Sequence, residues 1–188
     1  MTAAMAAAEE NPEIYERHQS MSDTVKPSIA GQFQSALSML TKAIELCPEG
    51  MWLEGSPNRF WHIAYHALFY LHFYLAPSDA EFVAWEKDRP GYNFLGESPR
   101  RSDETPKDAP KIDVPYTKAE LLEYAAFCKA EIETRVAATD LEAPSGFYWL
   151  AINKFELQLY NLRHLAHHTG QLADRLRSDG GIGLPWVR

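Results

Sequence analysis

One stretch constrains the fold of this chain more than any other: Asn161 to Arg177, reading NLRHLAHHTGQLADRLR. Leu162, Leu165, Leu172 and Leu176 recur at three- and four-residue steps, with Thr169 filling the gap, which is the apolar stripe of a helix that needs a core to cover it. His164 and His168 lie four residues apart, so their imidazoles emerge on one helix face, one turn above the other and beside the leucines. An unpaired polar group inside a protein is costly, so such a pair is either satisfied by hydrogen bonds or used on a metal ion.

Three further segments carry the same period. From about Pro27 to Leu46, Ile29, Phe33, Ala36, Leu37, Leu40 and Ile44 repeat at helical spacing until Pro48-Glu49-Gly50 halts them. Ser56-Pro57 offers an N-cap and a first-turn proline for an unusually aromatic helix, FWHIAYHALFYLHFYL, ending at Ala76-Pro77. Thr117-Lys118-Ala119-Glu120 reads as a capping box, opening a helix whose inner face is Leu121, Leu122, Ala125, Cys128, Ile132 and Val136. The last helix starts between Trp149 and Lys154 and stops at Gly180-Gly181, after which the tail is expected to fold back and bury Leu184 and Trp186. No alternating strand pattern competes. The fold class expected is therefore all-α, an antiparallel four-helix bundle with a long excursion, about residues 77–116, between its second and third helices. Residues 1–25 read as a frayed N-terminal segment and 26–188 as one helical domain. An excursion of that length, with Phe82, Trp85, Tyr92 and Phe94 among its Pro, Gly and charged residues, is of the kind that covers functional sites.

Composition narrows the partners. A formal net charge of -8 and the absence of any lysine or arginine run argue against a nucleic-acid groove. The longest apolar run, Phe60 to Ala76, is interrupted by three histidines and is too short to span a membrane, and the N-terminus lacks the regions of a secretory signal, so the expected location is the cytoplasm. The two cysteines, Cys47 and Cys128, form no CxxC and read as small core residues. The absence of HExxH, GxSxG and P-loop motifs, and of any glutamate followed three residues later by histidine, removes zincin, serine-esterase, nucleotide-phosphate and di-iron readings.

Of the seven histidines, six fall on two of the predicted helices. One imidazole of the aromatic helix, His66 or its competitor one turn earlier, His62, could join His164 and His168 to give three nitrogen ligands with a fourth position left for water or substrate. His167 should face outward or sit behind the ligands, and His18 and His72 read as surface or rim residues.

RHLAHHTGQL in the last helix and WHIAYH in the aromatic helix together resemble the DinB-like superfamily, the YfiT and bacillithiol-transferase group of metalloenzymes, over roughly Ile29 to Arg177. The resemblance implies a four-helix bundle with a histidine triad in which His164 and His168 match the paired ligands and His66 the single one. It implies a divalent ion, nickel or zinc foremost, and chemistry on a small molecule: S-transfer with a low-molecular-weight thiol, isomerisation or hydrolysis. In such a site the ion lowers the pKa of a water or thiol, while Gln171, Asn161, Tyr65 and Trp61 are candidates for contacts behind the ligands or to substrate. A homodimer formed through an aromatic helix face accompanies that expectation. The alternative is a non-catalytic bundle, structural or dimerising, whose histidines hold an ion for stability or none.

Overall fold

A computed structural model describes residues 12–55, 58–95, 112 and 114–188, with 12–22 described by their backbone alone. Five helices make up the regular structure of these residues: α1 (Pro12–Leu46), α2 (Glu49–Leu53), α3 (Phe60–Leu75), α4 (Lys118–Ala138) and α5 (Lys154–Gly180). The described residues contain no strand, only an isolated bridge between Pro144 and Asn153. The regular structure of the described residues is all-helical, and none of the helices described is long and apolar enough to cross a membrane.

The apolar stripes decide how the helices meet. Ile29, Phe33, Leu37, Leu40 and Ile44 of α1 are buried against α4 and α5, and Leu165, Leu172 and Leu176 of α5 close the same core. α3 is buried nearly all round, with thirteen of its sixteen residues inside, and this makes it the central rod. It packs on α4 and α5. Along α3 and α5 the contacts run in opposite chain directions: Asn58 O accepts from Arg175 Nη1 at 2.7 Å, Leu71 O from Asn161 Nδ2 at 3.1 Å, and Ala76 O from Lys154 Nζ at 3.0 Å. Between α1 and α4, Lys26 Nζ donates to Ala137 O and Gln34 Nε2 to Lys129 O, again in opposed order.

Local sequence signals set most helix ends. Thr117 and Glu120 form the capping box: the Thr117 hydroxyl oxygen accepts from Glu120 N while the Glu120 carboxylate accepts from Thr117 N. Asn153 caps α5 by accepting from Glu156 N at 2.9 Å, and Gly181, at φ +66, ends it in the left-handed conformation. The C-terminus of α3 is held by Lys154, whose ammonium also donates to Pro77 O at 2.6 Å, a cation at the negative end of a helix. Gly146 makes that approach possible, because at φ +84 a Cβ there would lie 2.3 Å from Pro77 O.

Five expectations need correction or restriction. α1 does not begin near Pro27 but runs through it from Pro12, the rest of the 1–25 segment lying outside the described residues. A mid-helix proline lacks the hydrogen bond to the carbonyl four residues back, here that of Asp23, and crowds it with its ring; the Pro27 ring is exposed, so that cost falls on the solvent side of α1 rather than on the core. The aromatic helix opens at Phe60 with Arg59 as N-cap, later than Ser56-Pro57 suggested; those two residues are outside the described set. Trp186 is 78% exposed rather than buried, while Leu184 does pack at the edge of the core. His72 is buried, not a rim residue, because α3 has almost no solvent face; its Nδ1 pairs with Tyr124 OH at 3.1 Å. In the excursion, residues 96–111 and 113 lie outside the described set, but 85–95 are held firmly: Trp85 stacks on Tyr124 at 4.4 Å, and Arg89 pairs with Glu120 at 2.8 Å.

Candidate metal centre

Opposed packing of α3 and α5 brings His66 to the pair on α5. Its Nε2 lies 3.1 Å from His164 Nε2, which in turn lies 3.2 Å from His168 Nε2. The ligand nitrogens of all three fall within 4.8 Å of one another, the single group of three potential donors of this kind among the described residues. For nitrogens about 2.0–2.1 Å from a tetrahedral zinc, neighbouring donors stand about 3.3–3.4 Å apart, so the spacing is that of a ligand set with little adjustment.

Hydrogen bonding at the far side of two rings fixes which nitrogen is bare. His66 Nδ1 is 2.6 Å from Asn93 O, and His168 Nδ1 is 2.8 Å from Gln171 Oε1. A carbonyl oxygen can only accept, so each Nδ1 carries the proton and each Nε2 presents a lone pair to the common point. Lone pairs aimed at one another repel unless a proton or a cation lies between them. This is the donor chemistry of a metal site in which outer carbonyls orient the ligands. His164 differs: its Nδ1 is buried with no partner among the described residues.

The electrostatics keep all three rings neutral. Burial first, then His168, pushes the His66 pKa down to about 2, against the pull of the Asn93 carbonyl. Burial and His168 bring His164 down to about 3, and burial lowers His168 while the Gln171 bond opposes it. Neutral imidazole is the form that ligates. His66 and His168 are buried, whereas His164 is half-buried and Gln171 exposed, so the α5 side is the less covered side of the cluster.

The other residues singled out by sequence divide. His62, the competing register, lies outside the cluster and turns its Nε2 to Tyr92 O at 2.8 Å, with Trp61 stacked on its ring at 5.0 Å. Gln171 sits directly behind His168. Asn161 is fully buried and spends its amide on Leu71 O, so it braces the helix pair rather than the histidines. Tyr65 is fully buried too, stacked on Tyr116 at 4.5 Å and donating its hydroxyl to Asp88. Trp61 is buried with its Nε1 unpartnered among the described residues, and His167 is exposed, as its one-residue offset required. The His18 side chain lies outside the described residues.

Two contributors were not visible as site residues in the sequence. Tyr70, one turn beyond His66, sets its half-buried ring 4.7 Å from that imidazole and 5.2 Å from His164. Its i,i+4 relation to His66 was a signal, masked by the density of aromatics in α3. Asn93 contributes through its backbone carbonyl, which no side-chain pattern announces. Neither cysteine supplies a thiolate: burial pushes Cys47 up to about 11 and Cys128 well above its ordinary range.

The chain matches no family model, and comparison with curated proteins and with solved structures gives no match.

Proposed function

We propose that this protein is a divalent-metal-dependent enzyme of the DinB-like type, built as an antiparallel four-helix bundle, with His66, His164 and His168 as the ligands of one nickel or zinc ion. The observation that carries the reading is the convergence of three Nε2 atoms, two of them stripped of protons by carbonyl partners behind the rings. The opposed contact order of α3 with α5 and of α1 with α4 supports the bundle. A bound ion would supply Lewis acidity, lowering the pKa of a water or thiol to the neutral range. The chain's own part is to hold three neutral imidazoles at one point and to exclude solvent from two of them.

The substrate class proposed is a small molecule, with a low-molecular-weight thiol as donor or a hydrolysable bond as target; both cysteines are buried and burial holds their thiols protonated, so a thiol nucleophile would come from outside the chain. The proposal includes a cytoplasmic location, no nucleic-acid partner, in keeping with the net charge of -8, and no membrane partner. It includes a homodimer as well; since α3 keeps its aromatic faces inside, association would use apolar residues left exposed on α5, such as Phe155 and Leu159.

The burial of His66 and His168 favours a second reading, an ion held for stability alone. Cobalt(II) substitution separates the two. After stoichiometric loading, a small thiol should add a sulfur-to-cobalt charge-transfer band if a coordination position is open, and leave the spectrum unchanged if the ion is structural. Failure of the purified protein to take up zinc or nickel, with His66→Ala, His164→Ala and His168→Ala indistinguishable from it, refutes both.

A further inference from the structure

The short segment from Trp85 to Leu95 does more than cross the surface. Arg89-Pro90-Gly91-Tyr92 is a tight turn: Tyr92 N donates to Arg89 O at 3.0 Å, proline occupies the second position and Gly91 the third at φ +85. Phe94 N donates to Gly91 O at 3.4 Å, so a second turn follows at once. Successive turns aim the consecutive carbonyls of Tyr92 and Asn93 at the same helix. They meet His62 and His66, one turn apart on α3, but at different ring atoms: Nε2 of His62 and Nδ1 of His66. His62 is thereby the Nε2–H tautomer and His66 the Nδ1–H tautomer, and only the latter leaves Nε2 bare for the cluster.

We infer that residues 85–95 form a positioning strap that sets the tautomer of His66, latched to α3 by Tyr65 and Asp88 on one side and by His62 on the other. Asp88 accepts from the fully buried Tyr65 hydroxyl, one residue before His66, and this bond fixes the strap's height along α3. Arg89 secures the outer edge on Glu120 and on the Tyr116 ring, 4.0 Å away. The Asn93 side chain ties the strap to Tyr70 OH at 3.4 Å, so the same residue whose carbonyl accepts from His66 Nδ1 also steadies the ring beside it. His62, which the sequence offered as a rival ligand, is therefore an anchor. It acts on the metal centre through the strap. The affinity consequence of the inference rests on the metal reading; the tautomer consequence does not.

The test compares the wild-type chain with Asp88→Ala, Asp88→Asn and Tyr65→Phe. Nitrogen-15 imidazole shifts of the metal-free proteins report the His66 tautomer, and titration with zinc alone reports affinity. In the wild type, His66 should be Nδ1-protonated. Asp88→Ala should turn it into a tautomer mixture and weaken zinc about ten- to a hundred-fold, the range for losing an outer partner of a metal ligand. Asp88→Asn, which keeps an acceptor for Tyr65, should restore both, and Tyr65→Phe, which removes the same hydrogen bond from its donor side, should shift both in the direction of Asp88→Ala and carries the test should that variant fail to fold. An Ile132→Val variant, remote from the strap and destabilised in the core, should change neither readout. Unchanged His66 shifts in both Asp88→Ala and Tyr65→Phe overturn the strap. Normal tautomers in a wild type that binds no zinc overturn the metal reading while leaving the strap standing.

Discussion

Removing His164 should cost the metal-free protein little and abolish its stabilisation by metal. This ring is the hub of the cluster, within 3.1 Å of His66 Nε2 and 3.2 Å of His168 Nε2. Its Nδ1 is buried without a partner among the described residues, a state that costs about 1–3 kcal/mol, while its Nε2, protonated in the metal-free form, is placed to donate to the bare Nε2 atoms of His66 and His168. Truncation to alanine relieves the unpartnered Nδ1 and forfeits the Nε2 donor, about 0.5–1.5 kcal/mol for a typical hydrogen bond; the two offset, so metal-free His164→Ala should lie within about 1 kcal/mol of wild type. With zinc at a hundred times its dissociation constant, the wild type gains about 2.7 kcal/mol. For a chain of this size each kcal/mol moves Tm by about 2–4 °C, which makes the zinc-induced rise about 5–11 °C. His164→Ala, left with two ligands, should rise by about 1 °C or less at the same zinc concentration. Thermal melts of both proteins in chelator and in zinc measure all four quantities. A variant that keeps the wild-type zinc shift, or a metal-free variant several kcal/mol less stable than wild type, refutes the assignment of His164 as a strained apo ligand.

Gln171→Ala should fold normally, since the residue is exposed, yet bind zinc about ten- to a hundred-fold more weakly by calorimetry because His168 loses its orienting acceptor. In metal-free protein, stability should fall with acid in part through His72, whose burial brings its pKa to about 4 from 6.5, Glu131 opposing and Arg135 adding to the shift. A depressed folded-state pKa gives a contribution that is whole above pH 6.5 and lost as pH drops from 6.5 to 4, at most about 3 kcal/mol. In urea melts at pH 7.5 and pH 4 the wild type should lose up to about 3 kcal/mol more than His72→Phe, and parallel losses would show His72 to be uninvolved. Gly146→Ala should destabilise by about 2 kcal/mol or more, combining a left-handed backbone with a Cβ pressed on Pro77 O, while Gly181→Ala, equally left-handed but with open space around it, should cost only about 1 kcal/mol in the same denaturant assay.

Whatever depends on neighbours three or four residues away was legible before any coordinates. The stripe from Leu162 to Leu176, the Thr117–Glu120 capping box and the stop at Gly180-Gly181 are local, because helix faces and helix ends are made of contacts within one or two turns. The pairing of His164 with His168 belongs to the same class. The start of α1 was not legible: a proline signals a first turn, whereas Pro27 sits in mid-helix with its ring on the solvent side.

What tertiary structure alone decided is which face of α3 meets which neighbour. His62, His66 and His72 are equally histidines on one aromatic helix, and their spacing assigns no roles. The approach of α5 took His66 into the donor cluster, the strap took His62, and α4 took His72 through Tyr124. The partner that fixes the proton on His66 is a peptide carbonyl, chemically the same at every residue of the chain, so its role arises only from the turn at Pro90-Gly91 that points it there. Periodicity is written in the identities of residues; direction across a gap between elements is written in how the chain packs.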